Sequence, residues 1–250
     1  TSYDSSKRLI IDPQLYWYTF YGGNNVDDCF STDTDEDGNI FITGGTTSDN
    51  FPLLDPGGTA YFSDDYSTLP FAVDVNVFLL KFSASGNLLW ATYYGGFAAE
   101  AAYSIETDLN GNVFVTGWTD SQDFPVQSAG GGSYKQPTFG GGGDAFILKF
   151  NNQIQPEWYT YFGGEIPNYI STEYHADETG PKIACNENGT KIYISGITRS
   201  TDLPMANVNQ TGYTVDQSNT CGSNSQNCID VFIAHFNQNG QLIWSSYYGG

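Results

Sequence analysis

The heptapeptide WATYYGG at Trp90–Gly96 decides the fold, because the chain writes it four times. WYTFYGG stands at Trp17–Gly23, WYTYFGG at Trp158–Gly164 and WSSYYGG at Trp244–Gly250. A recognition motif is usually needed once. An aromatic segment that returns along a 250-residue chain marks a structural unit whose copies pack in the same way.

Working outward, the same parts recur in the same order between successive Gly-Gly pairs. A polar loop leads into a short strand, CFSTDTD from Cys29 and AYSIETD from Ala102. A turn follows: EDGN at Glu36, LNGN at Leu109 and ENGT at Glu187. Asp-Gly and Asn-Gly suit tight hairpins because they tolerate positive φ. The second strand reads IFITGGT, VFVTGWT and IYISGIT, alternating apolar with small or polar residues as a half-buried strand should. The tags SDNFP at Ser48, SQDFP at Ser121 and STDLP at Ser200 then end it, since proline has no N–H for the ladder. A long variable loop precedes the third strand: NVFLLKF from Asn76, DAFILKF from Asp144 and DVFIAHF from Asp230. A second turn leads into the fourth strand, which carries the heptapeptide.

Each unit is therefore four antiparallel strands, and no segment has the periodicity of an amphipathic helix. Four-stranded sheets in series, each unable to bury both faces alone, predict an all-β β-propeller. The fourth-strand aromatics would fill the wide outer gap between blades. The Gly-Gly pair would carry the chain to the inner strand of the next blade, where a side chain would crowd the passage. The order W-x-x-Y-Y-G-G, D-x-x-G-N-V-F-V-T-G-x-T, S-x-D-F-P, D-A-F-I-L-K-F resembles the bacterial SBBP-type β-propeller repeat. The resemblance spans about residues 14–250. It implies a module of large secreted or surface proteins of Bacteroidetes-like bacteria, with no catalytic residues to carry over. The third unit departs from the pattern at Leu203 and His235 and by extra residues before Cys185.

The expected division is blade 1 at 24–96, blade 2 at 97–164 and blade 3 at 165–250, with 1–23 as the last strands of a preceding blade. Three blades and a part do not close a ring of the usual 4–8, so the segment is expected to belong to a larger propeller.

Charge is sparse and one-sided, with 28 acidic against 8 basic residues and a net of −20. That excludes binding of nucleic acid or anionic membrane by bulk electrostatics. No apolar run approaches the ~20 residues of a membrane span. The acidity suits an extracellular or cell-surface location. Cys221 and Cys228 bracket a polar loop that a disulfide could close, whereas Cys29 and Cys185 are expected to be buried thiols.

Candidate sites are few. Asp33, Asp35 and Asp37 before Gly38 form the D-x-D-x-D-G opening of a calcium loop, although Gly44 stands where a bidentate Glu is needed. The alternative for these acids is an acidic hairpin turn. Asn76, Asp144 and Asp230, Asn50, Asp123 and Asp202, and Ser48, Ser121 and Ser200 recur in every unit. Recurrence points to ties between loops and backbone N–H groups rather than to catalysis. His175 and His235 have no readable nucleophile beside them, and the Gly-rich runs at Gly130 and Gly140 lack the Lys-Ser/Thr and helix of a phosphate loop.

The long loops, roughly Leu53–Val75, Val126–Gly143 and Met205–Ile229, are expected to share one rim with the crossovers. They carry Tyr61, Phe62, Tyr66, Tyr134, Phe139 and Tyr213 with Asp64, Asp65 and Asp216. Such rings could stack on sugars while the acids bond hydroxyls, or could fold back as local cores. The expected function is a non-enzymatic adhesion, scaffold or display module. Its partners would be other segments of a large protein or other surface proteins, and glycan binding or processing through the long loops is the alternative.

Overall fold

The computed structural model describes residues 15–66, 75–165, 180–206 and 230–248. Within them the chain forms twelve strands and no helix. Blade 1 is β1 (Asp27–Thr34), β2 (Ile40–Thr46), β3 (Asn76–Phe82) and β4 (Leu88–Tyr94). Blade 2 is β5 (Glu100–Thr107), β6 (Val113–Thr119), β7 (Asp144–Phe150) and β8 (Pro156–Phe162). Blade 3 is β9 (Lys182–Cys185), β10 (Lys191–Thr198), β11 (Asp230–Asn237) and β12 (Leu242–Tyr248). Each blade is an antiparallel sheet with its strands in sequence order. No helix among the described residues is long and apolar enough to cross a membrane.

The period-two alternation of each strand sends side chains to opposite faces, and both faces are used. In β3, Val77 and Leu79 face blade 2. They form one core with Phe41, Trp90 and Tyr94 of blade 1 and with Val115, Phe124, Leu148 and Phe150 of blade 2. The next core repeats this one position on: Phe114, Ala145, Ile147, Trp158 and Phe162 meet Ile183, Ile194, Leu203, Phe232 and Phe236 of blade 3. Burial of the alternating apolar residues therefore takes place between blades, and a single blade would leave half of them in water.

The first strands converge, with β1 beside β5 and β5 beside β9. Their cross-blade bonds are polar. Asp33 Oδ2 accepts from Thr107 N at 2.6 Å and from Thr107 Oγ1 at 2.8 Å, and Leu109 N donates to Glu187 O at 2.7 Å. A β-bulge lies between Cys29 and Ser31 in β1 and between Ala102 and Ser104 in β5. The intervening Phe30 and Tyr103 stack across the junction at 4.7 Å. A second recurrent bulge lies between Lys81 and Phe82, Lys149 and Phe150, and His235 and Phe236, where the third strand meets the fourth.

Residues 15–23 form no ladder with other described residues, and residues 1–14 of the expected preceding blade lie outside the described residues. No partner strand lies beside them among the described residues. Even so, Trp17 and Tyr21 seat on blade 1 as their counterparts seat on later blades. Trp17 Nε1 donates to Ala84 O at 3.2 Å, as Trp158 Nε1 donates to Gln238 O at 3.2 Å. Tyr21 packs edge-on to Phe51 and Phe82, as Tyr94 packs on Phe124 and Phe150.

Candidate functional site

The Y-Y/F-G-G motif performs three tasks. The first ring latches its own blade. Tyr93 OH donates to Ser48 O at 2.7 Å and accepts from Phe51 N, Tyr161 OH donates to Ser121 O at 2.8 Å, and Leu203 N donates to Tyr247 OH at 2.8 Å. The second ring, Tyr94 or Phe162, enters the core of the next blade. The glycines then pass close to polar side chains. A Cβ on Gly95 would lie 2.0 Å from Glu100 Oε1, and one on Gly96 would lie 2.6 Å from Ser121 Cβ.

The recurrent polar residues act as the spacing predicts. Ser48 Oγ and Ser121 Oγ accept from Asn25 N and Ala98 N. Asn50, Asp123 and Asp202 accept from the N–H of Asn24, Phe97 and Glu165. Two acids were not singled out in the sequence: Asp27, which accepts from Gly23 N, and Glu100, which accepts from Gly96 N. Each lies four residues beyond the glycine it holds, a spacing that was legible but masked by the change from Asp to Glu.

Glu100 is fully buried, and that burial pushes its carboxyl up to about 8, with Asp123 adding to the rise and its hydrogen bonds opposing it. Asp144 is likewise buried and raised to about 7, first by desolvation; its Oδ2 accepts from Gly140 N and Gln136 Nε2, and its Oδ1 has no partner. Both serve the crossover and loop backbone.

The calcium candidate is not assembled. Asp33 turns to Thr107 of blade 2, while Asp35 accepts from Asp37 N, Asn39 N and Asn39 Nδ2 and lies 3.7 Å from Lys81 Nζ. Among the described residues no three His, Cys, Asp or Glu side chains are grouped to hold a metal ion. The acids form a hairpin turn because backbone N–H groups and a neighbouring blade take their oxygens first.

The long loops start and end at the crossover rim, where Gln136 Oε1 accepts from Gly163 N at 3.0 Å, but they do not stay there. Their described parts run down the outer strand. Leu54 bridges Ala91 in blade 1, Gln127 bridges Tyr159 in blade 2, and Ser245 N donates to Ala206 O at 3.2 Å in blade 3. An outer strand otherwise presents a row of unpaired N–H and C=O groups, and the loop takes them up. The loop then reaches the next blade: Tyr61 N donates to Ile154 O at 2.9 Å and Tyr134 N to Gly240 O at 2.7 Å.

The loop aromatics consequently fold inward. Tyr61 packs on Tyr94 and Phe150, and burial raises its hydroxyl to about 12. Tyr134 packs on Phe162 and Phe236, Tyr66 on Tyr93, and Phe139 on Tyr161. Of the two readings open for Tyr61, Tyr66, Tyr134 and Phe139, sugar stacking or folding back as local cores, these contacts follow the second: the rings fill gaps. Tyr213 and the Cys221–Cys228 pair lie outside the described residues. Cys29 and Cys185 are both free thiols, and Cys29 is exposed rather than buried because it faces the side of β1 away from blade 2.

One junction departs from the repeat. Between blades 2 and 3, Lys149 pairs with Glu157 at 2.7 Å and donates to Gln238 O at 3.1 Å, alongside the Trp158 indole. Between blades 1 and 2 the tryptophan donates instead to the loop, Trp90 Nε1 to Tyr61 O at 2.7 Å. Leu89 replaces the glutamate. Ile154 stands where Gly86 and Gly240 stand, and holds φ at 61° with its side chain in the core. A β-branched residue is strained in the left-handed region. The turn stands off, leaving a cavity of about 380 Å3 lined by Pro56, Thr59, Lys81, Leu89, Asn152 and Gln153. A second hollow of about 260 Å3 adjoins it, sharing Lys81, Asn152 and Gln153 and adding Asp35, Glu36 and Asp37.

These features define the class: an all-β protein of four-stranded antiparallel blades stacked face to face, as in a β-propeller. Residues 89–125, from β4 through the tag of blade 2, match the model of the SBBP beta-propeller repeat family. No curated protein matches the chain.

Proposed function

We propose that this chain is a non-enzymatic propeller segment serving outside the cell as an adhesion, scaffold or display module. The supporting observation is how the recurring polar groups are used. The serines and acids of the tag and crossover hold backbone N–H groups, so the repeat invests them in rigidity. A rigid frame whose loop tips reach open space is suited to display. A Cβ on Gly130 or Gly131 would meet nothing within 4 Å. Insertion of a short peptide epitope between Gly130 and Gly131 tests this. The expected result is an unchanged unfolding midpoint and full antibody recognition. Loss of the cooperative transition would count against the display role. Turnover of a glycoside panel that Asp37→Asn abolishes would overturn the non-enzymatic assignment.

A second reading is favoured by the open junction. The combined hollow offers amides from Asn110, Asn152 and Gln153, the Lys81 ammonium and an apolar wall at Pro56 and Leu89. Amides that both donate and accept suit the hydroxyls of a neutral saccharide. A glycan array with the wild-type chain and an Asn152→Ala/Gln153→Ala variant separates the readings. Binding lost in the variant supports the groove; no binding, or binding that survives, removes it.

A further inference from the structure

The hollow between blades 1 and 2 carries a charge that the repeat does not explain. Asp35, Glu36 and Asp37, in the turn from β1 to β2, line one end of it. Asp35 is already satisfied. It accepts from Asp37 N and Asn39 N, and Lys81 Nζ lies 3.7 Å from it and 4.7 Å from the centre of the Phe41 ring. The carboxylates of Glu36 and Asp37 make no hydrogen bond or ion pair among the described residues, and both residues are exposed. Recurrent polar groups hold backbone in this chain, but this pair does not recur. Blade 2 has Leu109 and Asn110 at the same turn positions, and blade 3 has Glu187 and Asn188. Lys81 is the only cation in the lining and is engaged by Asp35, so this end of the hollow keeps two unbalanced carboxylates.

The other end is different. Its wall includes Pro56 and Leu89, and Leu89 is 38% exposed although apolar. Asn152 and Gln153 belong to both ends, and their side-chain amides have no partner among the described residues. At the next junction Lys149 closes the corresponding space by donating to Gln238 O. Lys81 makes no such bond to Asn152, because the turn at Ile154 stands off. The cavity of about 380 Å3 falls within the ~300–1,000 Å3 of small-molecule sites.

We propose that this hollow binds a saccharide bearing a free amine, with its ring against Pro56 and Leu89, its hydroxyls on Asn152 and Gln153, and its ammonium at Glu36 and Asp37. The proposal rests on the reading of this groove as a saccharide site, and adds to it which sugar is preferred. Each part of the lining selects one part of the ligand. The apolar wall takes the C–H face of a ring. Amides both donate and accept, as hydroxyls do. Two carboxylates without a cation favour an ammonium, because a charge-assisted hydrogen bond is stronger than the neutral one a hydroxyl makes. An N-acetylated sugar brings a methyl group and no charge to the same place. A lysine side chain of a partner satisfies the acids and leaves the amides without hydroxyls. An acidic sugar meets like charge here and in the net −20 of the chain.

Calorimetric titration of the full chain with a glucosamine tetramer and with an N-acetylglucosamine tetramer tests the proposal, at about pH 6, where a sugar amine is protonated. The glucosamine tetramer should bind about three- to tenfold more tightly. Glu36→Gln/Asp37→Asn should bring its affinity down to that of the acetylated tetramer. The unfolding midpoint should not move, since neither carboxylate holds backbone. Asn152→Ala/Gln153→Ala should weaken both tetramers. Equal affinity for the two, lost in the amide variant, overturns the amine preference and leaves the saccharide groove standing. Binding of neither overturns both. Spermine that binds as tightly as the glucosamine tetramer assigns the effect to net charge and overturns the proposal, as does a preference that survives in Glu36→Gln/Asp37→Asn.

Discussion

Replacing Glu100 by glutamine should convert a pH-sensitive crossover into an insensitive one. The carboxyl is 0% exposed and holds Gly96 N and Ser121 Oγ, and its value moves from 4.5 to about 8 because burial penalises the charge. A group whose folded value lies above its unfolded one keeps more protons in the folded state. Its contribution is complete below about pH 4.5 and is lost as the pH rises through about 8. At 1.36 kcal/mol per pH unit, the span corresponds to about 5 kcal/mol as an upper figure, and a few kcal/mol after local relaxation. Glutamine keeps an oxygen for Gly96 N and offers an N–H₂ to Ser121 Oγ, with no charge to bury. Urea midpoints of wild type and Glu100→Gln across pH 4.5 to 9 give a difference curve in which the other acids cancel. The variant should gain on the wild type steadily as the pH rises and level off above about 8. A flat difference, or one of opposite sign, would refute the burial argument.

Asp144→Asn should behave in the same sense, since Asn76 already fills that position in blade 1 at 2% exposure. The variant should be the more stable chain above about pH 7, measured by thermal unfolding. Tyr161→Phe removes the donor to Ser121 O and should cost about 1–3 kcal/mol by chemical denaturation, because it strands a buried carbonyl; a cost near zero would show that the latch is dispensable. Gly95→Ala places a methyl 2.0 Å from Glu100 Oε1 and should lower the midpoint, with Glu100→Ala in the same chain restoring part of the loss. Added Ca²⁺ should leave the melting temperature unchanged, given the divergent Asp33 and Asp35; a rise that Asp35→Asn abolishes would reverse that conclusion.

The features legible in the sequence were those with short-range causes. Alternation in NVFLLKF and DAFILKF assigned two faces to one strand, and Asp-Gly and Asn-Gly placed the hairpins at Gly38, Gly111 and Gly189. The tag residues were read as backbone ties because they recur, and they are such ties. The loop aromatics were harder. Tyr61 and Tyr134 stayed open between ligand stacking and local cores, because nothing in the chain order shows that an outer strand needs a cover and an outer gap needs a filler. Asp33 stayed open between a calcium loop and a hairpin turn, because its actual partner, Thr107, stands 74 residues away.

Sequence by itself determined the blade: four strands, their turns, their two apolar faces and the glycines between units, all set by local sterics and period-two burial. Tertiary structure alone decided how the blades use them. Stacking directs Trp90, Tyr94 and the long loop into the next blade, where apolar area and edge hydrogen bonds can both be satisfied. It also distinguishes copies that read alike. Tyr94 and Tyr248 occupy the same place in the same motif, and one is closed while the other is open, because burial is a property of what lies opposite.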